Sequence, residues 1–570
     1  MKLRYAWIAI PVAALMVWGW AQLPQTPATL ASNMPPGAVL YLEAKDFAAL
    51  LNDWNKSPEK PAWLASANYD MFSKSRLFLR LSDAQTEFAE AAGVPPDMAM
   101  LSSVAGSESA LAIYDIGKLE FLYMTRLPAA TAAQSVFRSA LAKWSPRSAD
   151  GISYSVKIDK ATKRVTAYSA SNGMLLLATR EDLMAGALAL LAKRPNAALR
   201  NEAWFDHAVR GAGPSGELRL ACNLESLTKS PHFRSYWIQQ NITELKQYEV
   251  SVADLTRSGT EVREKRVLIR AAASAEVADA SGPIAQLLRM VPANAGLQRA
   301  WGSPQTALAE QLVTAKILAP HAGGSPAGKF APPDAGASAP EGSEDDLETK
   351  IDETPYSAAD AAFHAEALRT LLQTVELEAA LSVQSTKPQA DGVFIGSEAA
   401  VALLAKTAWN GDAARAAVLA SVDGLWTSGK LGLNWVAKQS SAGRTYYTIS
   451  GLSPVVMALD GRTLLLATSE ALLLSMLQPA NTAAPALESK TVFTAQFRHG
   501  VERANFGRLM KLIEHSSPGA EGPANGREPE FFSENLLSLS MSLARVESES
   551  IAVRDLGNAV TQTVVYRLRQ

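Results

Sequence analysis

The chain is 570 residues long, 48% hydrophobic and 19% charged, with a formal net charge of −2 at pH 7. That length carries several domains with their own cores, and that balance is globular rather than disordered. With no net positive field, nucleic acid is not an expected partner, and a single cysteine, Cys222, leaves no internal disulfide and no multi-cysteine metal site.

Lys2 and Arg4 precede Ala6–Ala21, sixteen residues without a charge. A short basic segment before an apolar run reads as an export signal. Gly19-Trp20-Ala21 offers small residues for cleavage before Gln22, whereas Trp7, Trp18 and Trp20 suit an uncleaved anchor held at the interface. Residues 1–23 are therefore expected to be a signal peptide or signal anchor, and 24–36 a Pro- and Thr-rich tether. Either way the rest of the chain is placed outside the cytoplasm, on the periplasmic face, tethered to the inner membrane or released. No cysteine lies near the run, which excludes a lipoprotein-type anchor.

A first α+β module is expected over 37–289. It opens with a strand at Ala38–Leu42 and a helix at Phe47–Trp54, and a variable helical and loop region leads to Ser107. Ala110–Ile116 and Leu119–Leu127 read as a hairpin around Gly117-Lys118, and a helix is expected from Ala129 to Trp144. A meander of Ile152–Ile158, Arg164–Ala170 and Met174–Ala178 follows, closed by a helix over Arg180–Ala192. Antiparallel connections dominate, so the fold class is α+β with mainly antiparallel sheets.

A second module is expected over 290–570, because the features of the first return in order. Gly173 through Leu183 (G-M-L-L-L-A-T-R-E-D-L) reappears at 461–472 as G-R-T-L-L-L-A-T-S-E-A-L. Gly106-Ser107-Glu108 is matched to Gly396-Ser397-Glu398, Trp144 to Trp426, Gly151–Tyr154 to Gly443–Tyr446, and Leu218–Leu224 to Val492–Arg498. Glu244–Ala271 resembles Asn535–Leu568. Asn172-Gly173 and Asp460-Gly461 suit type I′ turns, whose two central residues need positive φ. Thr179 and Thr468 stand where helix N-caps belong, with Glu181 and Glu470 in the first turn. Residues 321–355, rich in Gly, Ala and Pro and then acidic, cannot bury enough apolar area to order and are expected to be a disordered insertion. Ser357–Ser382 has the spacing of a long amphipathic helix.

Chemical motifs are sparse. Gly323–Lys329 and Gly424–Lys430 fit the phosphate-loop spacing, but Phe330 and Leu431 replace the hydroxyl that holds Mg²⁺, so no nucleotide is expected. There is no G-x-S-x-G elbow and no H-E-x-x-H helix. The six histidines never fall at the spacing that places two on one helical face. No catalytic, metal or cofactor residues are assigned. The candidate ligand or interface residues are the duplicated polar pairs Ser107, Glu108, Ser397 and Glu398, with Trp144 and Trp426. Turn formation and edge packing are the plainer roles for all six. Cys222, in an alternating run, is expected to be a buried, inert thiol.

The Pro35-Pro36-Gly37-Ala38-Val39-Leu40-Tyr41 segment, Gly106-Ser107-Glu108 and the 173–183 segment resemble a family of uncharacterised bacterial envelope proteins that carry a domain of unknown function behind an N-terminal signal or anchor. The resemblance spans residues 33–275 and is looser over the second module. It implies an envelope setting and supplies no catalytic residues. The expected function is a non-enzymatic, membrane-tethered scaffold with envelope protein partners. An apolar-ligand or lipid carrier is one alternative, favoured by a sizeable apolar cavity between sheet and helices. A cryptic hydrolase is another, requiring Ser, His and a carboxylate in one pocket.

Overall fold

A computed structural model of the chain describes residues 29–318, 366–388, 395–426, 434–449, 454–478, 486–502 and 545–569, apart from 75, 96, 134, 161–162, 195, 235–241, 244 and 275–276. The expected signal segment, residues 24–28 of the tether and the 321–355 insertion lie outside these residues. No helix among the described residues is long and apolar enough to cross a membrane. The described residues fall into two compact units. One lies within Met1–Ala65, Tyr69–Thr256 and Arg266–Ala272, the other within Ser66–Asn68, Arg257–Lys265 and Ala273–Gln570. The second therefore takes in helix Ser281–Leu288, which packs on its sheet.

The strands of the first unit are β1 (Leu40–Ala44), β2 (Ser109–Asp115), β3 (Glu120–Arg126), β4 (Ser145–Ala149), β5 (Ile152–Ile158), β6 (Val165–Ser171), β7 (Met174–Ala178), β8 (Leu218–Asn223) and, but for its last two residues, β9 (Tyr248–Ser258), while β10 (Glu261–Arg270) has residues in both units. They pair antiparallel in the order β9-β8-β1-β2-β3-β7-β6-β5-β4. The second unit contributes β11 (Leu297–Gly302), β12 (Leu377–Pro388), β13 (Ile395–Ala405), β14 (Val436–Gln439), β15 (Thr445–Ile449), β16 (Val455–Asp460), β17 (Thr463–Ala467), β18 (Thr491–Phe497), β19 (Val546–Asp555) and β20 (Ala559–Leu568). Their order, β20-β19-β18-β11-β12-β13-β17-β16-β15-β14, is also antiparallel throughout and follows the connectivity of the first. The chain is thus mixed α+β.

The L-L-L-A strands are central, and every residue of β7 and β17 is buried. In the second unit Leu464 and Leu466 belong to one core, under helices Thr306–Val313, Glu366–Gln373 and Gly411–Trp426. Leu465 and Ala467 belong to another, under Ser281–Leu288 and Glu470–Leu477. Alternate side chains meet opposite faces, so a strand covered on both sides is apolar without a break.

Each unit ties its meander to the following helix in the same way. Tyr154 donates to Glu181 Oε1 at 2.9 Å, with Arg147 Nε at 3.6 Å. Tyr446 donates to Glu470, and Lys438 Nζ is 2.8 Å from the same carboxylate. Hydrogen bonding from Lys438 holds the Glu470 carboxyl below its ordinary range, and the Glu470 acceptor raises the Tyr446 phenol.

Several expectations change. Thr179 and Thr468 do not cap helices. Their hydroxyls instead accept from the backbone N–H of Phe121 at 2.8 Å and of Ala399 at 2.9 Å, closing the sheet edge-on. The second cap is Ser469, accepting from Leu472 N at 3.3 Å, and Arg180 occupies the first cap without a side-chain bond. Asn172-Gly173 forms the expected I′ turn, with φ of 54° and 73°. In the second unit Asp460 pairs with Thr463, so the turn is Gly461-Arg462. Only Gly461 of that pair has positive φ, at 58°, the arrangement of a type II′ turn.

The helix expected over 129–144 is two short ones, Ala129–Ala133 and Phe137–Leu141. The Ser135 hydroxyl accepts from Phe137 N at 3.2 Å, a local bond that competes with helix continuation. The helix expected over 357–382 is described only at Glu366–Gln373, and from Leu377 the chain is β12. There Ala379, Leu381 and Val383 face one core while Leu377 and Ala380 join the other, so burial on both faces mimicked helical periodicity.

Candidate functional site

An apolar pocket of 890 Å³ opens in the first unit between its sheet and two helices. That volume sits in the upper part of the range of about 300–1,000 Å³ typical of small-molecule sites. The sheet wall is made by Leu111 and Ile113 of β2, Phe121 and Tyr123 of β3, and Leu177 of β7. Residues two apart on a strand share a face, so the alternation of β2 and β3 builds this wall directly. Helix Arg76–Ala92 supplies Gln85, Phe88 and Ala91 at three-residue steps, and helix Met98–Val104 supplies Met100, Leu101 and Val104. The latter helix is started by Asp97, whose carboxylate accepts from Met100 N at 2.9 Å. Phe88 and Phe121 meet across the pocket with ring centroids 6.2 Å apart.

Several polar atoms of the walls are already engaged. Tyr123 donates to Val104 O at 2.8 Å, and Ser109 and Thr125 hydroxyls lie 2.6 Å apart. Burial pushes the Tyr123 phenol above its ordinary range, so it stays neutral. The walls therefore offer mainly carbon, with Gln85 and Thr166 also in the lining.

The two ends differ. Toward the start of β2, the lining is Leu42, Ala44, Phe47 and Leu218. Toward the β2–β3 turn it is Lys118, Glu120, Lys163, Arg164 and Arg180. Arg180 Nη1 donates to Glu120 Oε2 at 2.9 Å and the guanidinium also pairs with Asp182. Arg164 pairs with Glu87, and its Nη1 donates to Lys118 O at 3.1 Å, joining the two loops. Lys118 and Lys163 are exposed, which places this end at the surface.

The same face of the second unit is filled. Val401 and Leu466, the register equivalents of Tyr123 and Leu177, lie under helices Thr306–Val313, Glu366–Gln373 and Gly411–Trp426 in a core with Leu312, Leu368 and Val418. Ser469 stands there where Arg180 stands in the first unit.

The sequence-based candidates fall elsewhere. Ser107 is exposed and its N–H donates to Arg126 O at 3.2 Å. The Glu108 carbonyl accepts from Arg126 N at 2.7 Å while its carboxylate pairs with the Arg126 guanidinium. Ser397 and Glu398 lie on β13 opposite Thr386 and Ser385. Because β13 corresponds to β3, Glu398 matches Glu120 and not Glu108, and the two Gly-Ser-Glu segments are not equivalent in the fold. Trp144 is buried against Phe137, with ring centroids 6.3 Å apart. Trp426 ends a helix, and its side chain lies outside the described residues. None of the six lines the pocket. The residues that do were missed because the segment before Ser107 was read as variable. Leu77, Leu81, Ala84 and Phe88 at helical spacing were the available signal.

No histidine lines the pocket. His207 Nδ1 lies 3.2 Å from Glu249, and His499 sits edge-on to Phe497 with Glu549 at 3.7 Å. Among the described residues no group of three His, Cys, Asp or Glu side chains could hold a metal ion. Cys222 is half-buried, and desolvation pushes its thiol up to about 12, far from a reactive thiolate.

No protein-family model matches the chain, and no curated protein matches it. Among solved structures it is similar to crystal form I of TP0453, at 15% identity and a TM-score of 0.24, covering 48% of this chain and 88% of that one. Crystal form III gives 15% identity, a TM-score of 0.23 and coverage of 47% and 87%. Crystal form IV gives 13%, 0.24, and 46% and 85%.

Proposed function

We propose that the chain is an extracytoplasmic binding protein whose first unit takes up an apolar, lipid-like ligand between its sheet and helices Arg76–Ala92 and Met98–Val104. The observation that carries this reading is the 890 Å³ pocket, walled by carbon. Apolar surface left facing such a pocket forgoes the burial that the rest of the core gains. A ligand that fills it recovers that loss, with about 0.8 kcal/mol of favourable transfer per buried methylene. The contrast with the second unit supports the same view. An equivalent sheet face is closed there by the unit's own helices, so the topology does not impose a pocket.

We also propose that the two units are copies of one module, on the support of their matching strand order and the repeated Tyr–Glu tie between meander and helix. The filled second unit fits the scaffold role, contacting envelope protein partners. The charge-free run Ala6–Ala21 behind Lys2 and Arg4 supports an export signal or membrane tether.

The test is displacement of an environment-sensitive fluorescent fatty acid from the full chain, compared with Ala91→Phe, which builds a ring into the pocket. The variant should lose at least about tenfold in affinity while its thermal midpoint holds or rises, as expected for cavity filling. Unchanged affinity in the folded variant would overturn the proposal.

A further inference from the structure

Building on the pocket reading, we infer that the ligand is an amphiphile with an anionic headgroup, held with its head among Lys118, Lys163, Arg164 and Arg180 and its chain toward Leu42 and Leu218. All four cations line one end of the pocket, and the carboxylate lining with them is Glu120. Two of the cations are spoken for. Arg180 is paired with Glu120 and Asp182, and Arg164 with Glu87. Among the described residues neither Lys118 Nζ nor Lys163 Nζ has an acidic partner; Asp115 near the turn accepts the Lys118 backbone N–H at 3.0 Å. Two exposed ammonium groups at the mouth of a carbon-walled pocket make an attractive place for one anionic head.

The geometry also separates head from tail. β2 runs the length of the pocket, and its seven residues span about 20 Å at the ordinary strand rise, the length of an extended long acyl chain. The far end, where Ala44 pairs with Ser109 and Leu218, is lined by Leu42 and Phe47. Ser109 is the hydroxyl there, and Thr125 already engages it at 2.6 Å. A neutral polar head would find no free hydrogen-bonding group at that end, and a cationic head would be repelled at the other.

The experiment titrates the full chain and its Lys118→Ala/Lys163→Ala double variant with hexadecanoate, hexadecanol and inorganic phosphate, at low and high ionic strength. In the wild type at low salt, hexadecanoate should bind about tenfold more tightly than hexadecanol, the gain expected from two solvent-exposed cations. That gap should close in the double variant and at high ionic strength, with hexadecanol affinity unchanged. Equal affinity for the two amphiphiles in the wild type would overturn the headgroup assignment and leave the pocket standing. So would a gap that survives in the double variant. Phosphate binding as tightly as hexadecanoate would assign the cations to a free anion and overturn the amphiphile. Absence of binding by either amphiphile would overturn the pocket reading itself.

Discussion

Replacing Asp254 by alanine should be among the most damaging single changes in the first unit. Arg219 on β8 and Asp254 on β9 are register partners, and they are only 4% and 5% exposed. Two parallel bonds join them, Nε to Oδ1 and Nη2 to Oδ2, each 2.8 Å. Further bonds hold both groups: Nη2 donates to Gly213 O at 2.8 Å, and Oδ1 accepts from Gly216 N at 3.1 Å. Alanine at 254 strands a guanidinium out of water and leaves the Gly216 N–H without its acceptor. Removing one partner of such a buried pair costs about 3–5 kcal/mol. Two charge-assisted bonds at about 1.5–3 kcal/mol each lead to the same range. The double change Arg219→Met/Asp254→Leu removes both charges and should cost far less than the two single changes together, because no charge is left buried. A chain with two units need not unfold in one step, so the readout is native-state hydrogen exchange of the β1 and β8 amides under increasing urea. A cost below about 1 kcal/mol for Asp254→Ala, or a double variant as damaged as the sum of the singles, would refute the reasoning.

Three further outcomes are expected. Gly106→Ala should cost about 1–3 kcal/mol in thermal unfolding, because a Cβ there would sit on the Arg126 carbonyl oxygen and Thr125 Oγ1 and force β2 and β3 apart; a loss under about 0.5 kcal/mol would show that the strands yield. Asn172→Val should destabilise by about 1–2 kcal/mol, since a β-branched residue resists the φ of 54° that the turn holds, whereas Asn172→Gly should be nearly neutral; equal losses for both would point away from backbone strain. Burial raises the Glu43 carboxyl above its ordinary 4.5, with opposing help from Tyr41 and Arg219. Its charged form is therefore disfavoured in the fold, and the stability it contributes is present below the unfolded pKa and lost as pH rises through the folded one. Glu43→Gln should accordingly stabilise the protein at pH 7, and the advantage should vanish below about pH 4; an advantage that persists unchanged in acid would refute the assignment.

Strong periodicity and unambiguous turn chemistry were enough to place several local elements. The hairpin β2–β3, the meander β5–β6–β7 and the helix after it stand where alternation and Asn172-Gly173 put them. Tyr154 and Tyr446, matched by sequence, prove to hold the same tie to a helix in each unit. Contacts between distant segments set what local pattern cannot carry. Which strands lie side by side depends on contacts distant in the chain, so Gly396-Ser397-Glu398, identical in sequence to Gly106-Ser107-Glu108, sits on the strand equivalent to β3 and not before the one equivalent to β2. A strand buried on both faces loses its alternation, which is why Leu377–Ser382 read as helix. A threonine at a strand end satisfies whichever N–H lies nearest, and for Thr179 and Thr468 that group belongs to the neighbouring strand. The pocket is the extreme case. It is a difference between the volume enclosed by sheet and helices and the volume their side chains fill, and no single segment encodes that difference.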